Sequence, residues 1–138
     1  MKVPAKRDDA WLASRPQRLR SKDSFVTLVV GVPDGDTLQV AKDWDGVSFV
    51  GTEFVRLAGV DAPEMRSRDL VGATRAQKEL HRLCFQKVVT VRPRRVWRDP
   101  YHRIVADVTL DHIDLGACLI SSGFAQARVV FKADTKPM

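Results

Sequence analysis

With 138 residues, 44% of them hydrophobic and 29% charged, the chain has the size and balance of one soluble domain, which excludes fibrous, disordered and membrane-spanning classes. Its formal charge of +6 is unevenly spread: residues 1 to 24 hold seven basic and three acidic side chains, leaving 16 bases against 14 acids for the rest. Basicity alone therefore does not mark the folded part as a nucleic-acid binder, and the organisation expected is a basic tail or linker over 1–24 followed by one domain over 25–138.

From Phe25 the pattern becomes regular. FVTLVVGV is a β-branched run cut by Pro33, and DTLQVAK alternates Leu38 and Val40 with polar neighbours; these predict strands one and two. After an Asp45-Gly46 turn, VSFVGTEFVRLAGV predicts a long third strand with a bend or bulge at Gly51. Between Gly72 and Cys84 the period changes: Ala73, Ala76, Leu80, Leu83 and Cys84 recur at helical spacing. KVVTVRPRRVW and HRIVADVTL then predict strands four and five, with Pro93 requiring an edge or a kink. Asp114 is an N-cap before LGACLISS and Gly123 a C-terminal stop, which predicts a short second helix. The fold class expected is mainly β with helices (α+β): a five-stranded OB-type barrel with a helix between strands three and four and a short helix after strand five.

No apolar stretch reaches signal-peptide or membrane-span length. The chain as it stands is expected to be cytoplasmic and free of membrane, or secreted if a leader has been removed. Cys84 and Cys118 lie on the apolar sides of the two helices with no CxxC, so two reduced thiols are expected. His81, His102 and His112 share no metal-binding spacing.

The chemistry-bearing residues cluster in Asp34-Gly35-Asp36-Thr37, Arg56 and Asp61-Ala62-Pro63-Glu64. If strands two and three form an antiparallel hairpin, Asp36, Arg56, Asp61 and Glu64 meet at one of its ends. Three carboxylates and an arginine there can hold a hard cation and leave room for water and a phosphate oxygen. Each element also has a plain alternative, since Asp-Gly-Asp suits any tight turn, Asp-Ala-Pro-Glu can cap backbone N–H groups, and a strand arginine can pair with a carboxylate for structure alone. A second arginine, Arg103, stands in the turn Asp99-Pro100-Tyr101-His102-Arg103, where it can grip a phosphate or be merely solvated.

Taken in order and with suitable gaps, VPDGDTLQV, VRLAGVDAPE, GATRAQKEL, DPYHRIVADV and DLGACLISSGFAQA resemble the successive motifs of the thermonuclease, or staphylococcal-nuclease-like, family, from about Phe25 to Phe131. The resemblance implies a calcium-dependent hydrolase acting on phosphodiester bonds of DNA or RNA. It implies calcium ligation by Asp36, Asp61 and the carbonyl of Ala62, with Glu64 as the general base that activates water. It further implies that Arg56 and Arg103 bind phosphate and stabilise transition-state charge, that Tyr101 contacts phosphate or sugar, and that Asp34 lies just outside the ligand set. A nucleic-acid substrate and a monomeric protein are the partner expectations.

The sequence also departs from the family pattern. Ala62 replaces a frequent threonine, and the loop from Met65 to Val71 is short, with Arg66 and Arg68 in place of a lysine-rich run. Val129 and Phe131 stand where nucleotide-stacking aromatics are usual, and little chain remains for a third helix. Two other readings compete: an OB module that holds single strands without cutting them, and an interaction domain of a larger protein.

Overall fold

The computed structural model describes residues 23–65 and 68–128. Residues 1–22 of the tail or linker expected over 1–24, and the positions Val129 and Phe131, lie outside them. Among the described residues eight strands and two helices follow in chain order: β1 (Phe25–Asp34), β2 (Thr37–Lys42), β3 (Gly51–Leu57), β4 (Val60–Asp61), α1 (Leu70–Cys84), β5 (Val88–Arg98), β6 (Ile104–Leu110), β7 (Ile113–Asp114), α2 (Leu115–Ser121) and β8 (Gln126–Ala127). The main sheet runs β3-β2-β1-β5-β6-β7 and closes on itself where β3 pairs in parallel with β6. Five strands so ordered and closed, with a helix between the third and fourth, form the expected OB barrel.

Alternation fills the barrel. Val29, Leu38, Val40, Val55, Leu57, Val89, Val91, Ala106 and Val108 point inward and are fully buried. Each large side chain removed from water in this way contributes about 1.5–3 kcal/mol. Helix α1 closes one end with Ala73, Ala76, Leu80 and Cys84, residues three or four apart on one stripe. Asp69 caps it, its Oδ1 accepting from the Gly72 N–H at 2.9 Å. Helix α2 starts at the predicted cap, with the Asp114 side chain accepting from Ala117 N, and stops before Gly123, whose φ of +84° suits glycine. Both cysteines are free thiols; Cys84 is buried, which pushes its thiol up to about 12, and Cys118 is half-buried.

Three strand expectations are corrected. Pro33 does not cut β1 but lies inside it, where the pairing with β2 shifts register between Gly31 and Asp34 and no ladder N–H is required of residue 33. The third strand begins only at Gly51. Although Val47 and Val50 favour strands, the Asp45 carboxylate accepts from the N–H groups of Val47 and Ser48 at 2.8 Å each and folds this stretch into an exposed loop. After Leu57 the chain turns through Gly59 (φ +74°) and pairs again as β4 with β8. Pro93 meets its requirement: β1 pairs with β5 only as far as Val91, and the β5–β6 ladder shifts register beyond Pro93.

Candidate active site

The β2–β3 register sets Thr37 opposite Arg56, so the start of one strand does lie beside the end of the other. The Gly35-Asp36 turn before β2 seats against α1 and the segment after β4. A Cβ at Gly35 would stand 2.5 Å from that of Ala76 and 3.0 Å from that of Ala62, so only glycine allows the approach. Asp36 is thereby placed inside the protein, 5% exposed, where an ionised carboxylate requires partners. Its Oδ1 accepts from Thr37 Oγ1 at 3.1 Å, and its Oδ2 accepts from Ala62 N at 3.2 Å and lies 3.6 Å from Arg56 Nη2.

Arg56 is buried as well, because its guanidinium folds over the chain reversal that follows β3. Nη1 donates to the carbonyls of Leu57 at 2.8 Å and Val60 at 2.6 Å, and Nη2 donates to Asp61 Oδ1 at 3.0 Å. One guanidinium nitrogen thus faces two carboxylates, that of Asp36 inside and that of Asp61 at the surface. Glu64 is exposed and has no hydrogen bond or ion pair among the described residues, but its backbone is fixed on both sides. Ala62 N is held by Asp36, and Met65 N donates to Asp34 Oδ1 at 3.1 Å. Asp34 therefore acts on the segment that carries Glu64.

The 99–103 turn, which leads into the β6 strand paired with β3, adds a second arginine. Asp99 Oδ1 accepts from the N–H groups of Tyr101 and Arg103 at 2.9 Å each, and its Oδ2 accepts from Arg103 Nε at 2.7 Å. Partial burial by itself would raise the Asp99 carboxyl, but the Arg103 backbone, side chain and charge, with the Tyr101 N–H, together hold it below the usual aspartate value. Arg103 Nη1 reaches Thr37 Oγ1 at 3.3 Å, and its guanidinium carbon stands 5.4 Å from the centre of the exposed Tyr101 ring. Arg98 secures the turn from behind, pairing with Glu53 of β3 at 3.0 Å and donating to the His102 carbonyl at 2.6 Å.

Asp36, Ala62 and Arg103 are therefore joined by hydrogen bonds through Thr37, and Arg56 with Asp61 is tied to them by the Arg56–Asp36 ion pair, with Tyr101 against Arg103 and Glu64 alongside without a direct link. Thr37 is the joint: it donates to Asp36 and accepts from Arg103, a role signalled only by its place after the second aspartate. The roles of Asp99 and Arg98 in fixing the turn also escaped the sequence reading.

The donor set suits a hard cation in kind, since the Asp36 and Asp61 carboxylates converge on one nitrogen and the adjoining Ala62 adds a main-chain carbonyl. No group of three or more acidic, histidine or cysteine side chains at metal-binding distance occurs among the described residues. With two carboxylates, an ion such as calcium, which takes six to eight oxygens, would draw the others from main chain, water and substrate.

A closed OB barrel with acids and arginines gathered at one mouth defines a domain of the nuclease and nucleic-acid-binding class. The staphylococcal nuclease homologue family model matches residues 54–137, more than half of the chain, and the chain belongs to that family. The matched segment begins inside β3 and takes in Arg56, Asp61, Ala62, Glu64, Tyr101 and Arg103, whereas the turn with Asp34 and Asp36 precedes it. No curated protein matches the chain.

Proposed function

We propose that the chain is a calcium-dependent nuclease that hydrolyses phosphodiester bonds of DNA or RNA by attack of water, and that it works as a monomer. The observation that carries this reading is the convergence of the Asp36 and Asp61 carboxylates on a single nitrogen of Arg56, beside an arginine presented from the turn before the neighbouring strand. Asp36, Asp61 and the Ala62 carbonyl would hold the calcium. Bound there, the ion supplies a Lewis acid and a template for a phosphate oxygen.

The chain's own residues do the rest. The Arg56 Nη2 group, which here bridges two carboxylates, donates to a phosphate oxygen entering between them, while Nη1 stays on its two carbonyls. Arg103, oriented through Nε by Asp99, offers its outer donors to charge developing on the phosphoryl group. Glu64, exposed on a fixed backbone and without an ion pair among the described residues, takes the proton of the attacking water. Tyr101 lies against Arg103 where a sugar or phosphate would pass.

One observation favours the rival reading of a binding module that does not cut: the Arg56 donors at Nη1 and Nη2 all face protein acceptors. The two readings separate on Asp36→Asn. Calcium binding by calorimetry and oligonucleotide cleavage are measured for the parent and the variant, with thermal melting as a check on folding. The nuclease reading requires the parent to bind calcium and cut, and the variant to lose both. Its oligonucleotide binding in chelator should persist, because Arg103 remains and one charge that repels phosphate is gone. A parent that binds no calcium at millimolar concentration with nucleotide present would sink the nuclease reading.

A further inference from the structure

Beside Asp61 and Ala62, between the start of α1 and the chain following α2, opens a cleft of about 520 Å³. Its lining includes Asp69, Arg75, Phe124 and Gln126. That volume falls within the roughly 300–1,000 Å³ of small-ligand sites. Its acids are already engaged: Asp61 accepts from Arg56, and Asp69 accepts from the Gly72 N–H at the helix start. Its cation is not. Arg75 is exposed on α1, makes no hydrogen bond or ion pair among the described residues, and lies with its guanidinium carbon 5.6 Å from the centre of the Phe124 ring. A guanidinium resting on an aromatic face keeps its in-plane N–H donors for another ligand, and a phosphate matches them two at a time.

The position of the cleft gives that ligand an identity. Of the two Asp36 oxygens, Oδ1 leads through Thr37 to Arg103, while Oδ2 leads through Ala62 to the cleft. A strand whose reacting phosphate sits at Arg56 and Asp61 would thus lie beside Arg103, through Thr37, and beside the cleft that Asp61 and Ala62 share with Arg75. We propose that this cleft is a further phosphodiester subsite, which takes the nucleotide next to the one being cut, with Arg75 as its phosphate contact and Phe124 as the face that holds Arg75 in place. The proposal rests on the reading of the substrate as a nucleic-acid strand, but not on cleavage.

It is tested by binding in chelator, where no cutting occurs. An oligothymidylate of about eight nucleotides, a length one OB domain spans, is titrated by fluorescence anisotropy at several salt concentrations. Parent, Arg75→Ala and Arg75→Lys are compared, with circular dichroism to confirm the fold, which alanine on an exposed helix face should leave intact. Loss of one single-strand phosphate contact should reduce the slope of log affinity against log salt by about 0.7 and weaken binding roughly three- to tenfold in Arg75→Ala. Arg75→Lys, which keeps the charge, should keep the slope. A purely structural role for Arg75 would not move the salt slope. Arg75→Ala with the parent's slope and affinity overturns the subsite and leaves the substrate reading standing, whereas a parent that binds no oligonucleotide overturns both.

Discussion

Arg56 and Arg103 serve the same mouth, but the fold treats them in opposite ways. Arg56 is buried under the β3 reversal, with two carbonyls on one nitrogen and two carboxylates facing the other. Arg103 is half-buried, fastened at Nε by Asp99 and at Nη1 by Thr37, and its Nη2 has no acceptor among the described residues. Arg56 is set into the mouth and keeps only Nη2 for a phosphate, whereas Arg103 is held at its edge with Nη2 outward. Burial and carbonyl geometry, not residue type, decide how much of each guanidinium is left for substrate, and the difference can be tested by removing each side chain.

The largest effect is expected from Arg56→Ala. Removal of one partner from a buried charge pair leaves Asp36 unpaired, which typically costs about 3–5 kcal/mol, and cleavage should vanish with the stability. Thermal melting checks this, and an unchanged melting temperature would show that Arg56 is not part of the frame. Glu64→Gln should do the reverse, slowing cleavage roughly 10²- to 10⁴-fold at unchanged melting temperature, because the carboxylate is exposed and has no hydrogen bond or ion pair among the described residues. A near-parental single-turnover rate would remove Glu64 from the mechanism. Arg103→Ala should slow cleavage by roughly 10²–10³-fold while stability changes by less than about 1 kcal/mol, since only partly exposed pairs are lost. A large drop in melting temperature there would erase the contrast with Arg56.

The smallest effect concerns pH. The folded-state value of Asp99 lies below its ordinary 3.8, so the stability it contributes is fully present above that value and is lost as pH falls through the lower folded value. The difference in stability between the parent and Asp99→Asn, followed by denaturant unfolding, should be constant from neutrality down to about pH 4 and shrink below it. A difference independent of pH would mean that the carboxylate charge plays no part in holding Arg103.

Periodicity made much of this fold legible. Ala73, Ala76, Leu80 and Cys84 gave away α1, and Asp114 with Gly123 bounded α2, because each signal depends on neighbours three or four residues apart. Helix α1 begins at Leu70, two residues before the expected Gly72; Leu70 and Val71 are exposed and lie off the apolar stripe that marks it. Val47 and Val50 misled because strand preference describes a half-buried surface, and here both are largely exposed. Two-residue pairings such as β4 with β8 leave no pattern to read. At the site, the meeting of Asp36, Arg56 and Asp61 followed from hairpin register. The engagement of Arg56 with the carbonyls of Leu57 and Val60, the tie from Asp34 to Met65 and the linking role of Thr37 did not, since each depends on where backbone groups end up after the chain has folded.

The parallel pairing of β3 with β6 also has a kinetic consequence. It sets Val55 beside Ile104 and Arg56 beside Val105, residues far apart in sequence, and only this closure brings Arg103 to the Asp36 turn. Hairpins such as β1–β2 form early because their loops are short, whereas a pairing that spans α1 and β5 must first overcome the entropy of a long loop. During refolding, helix and hairpin signals should therefore appear before the mouth exists, and any activity should return only with the last and slowest phase of barrel closure.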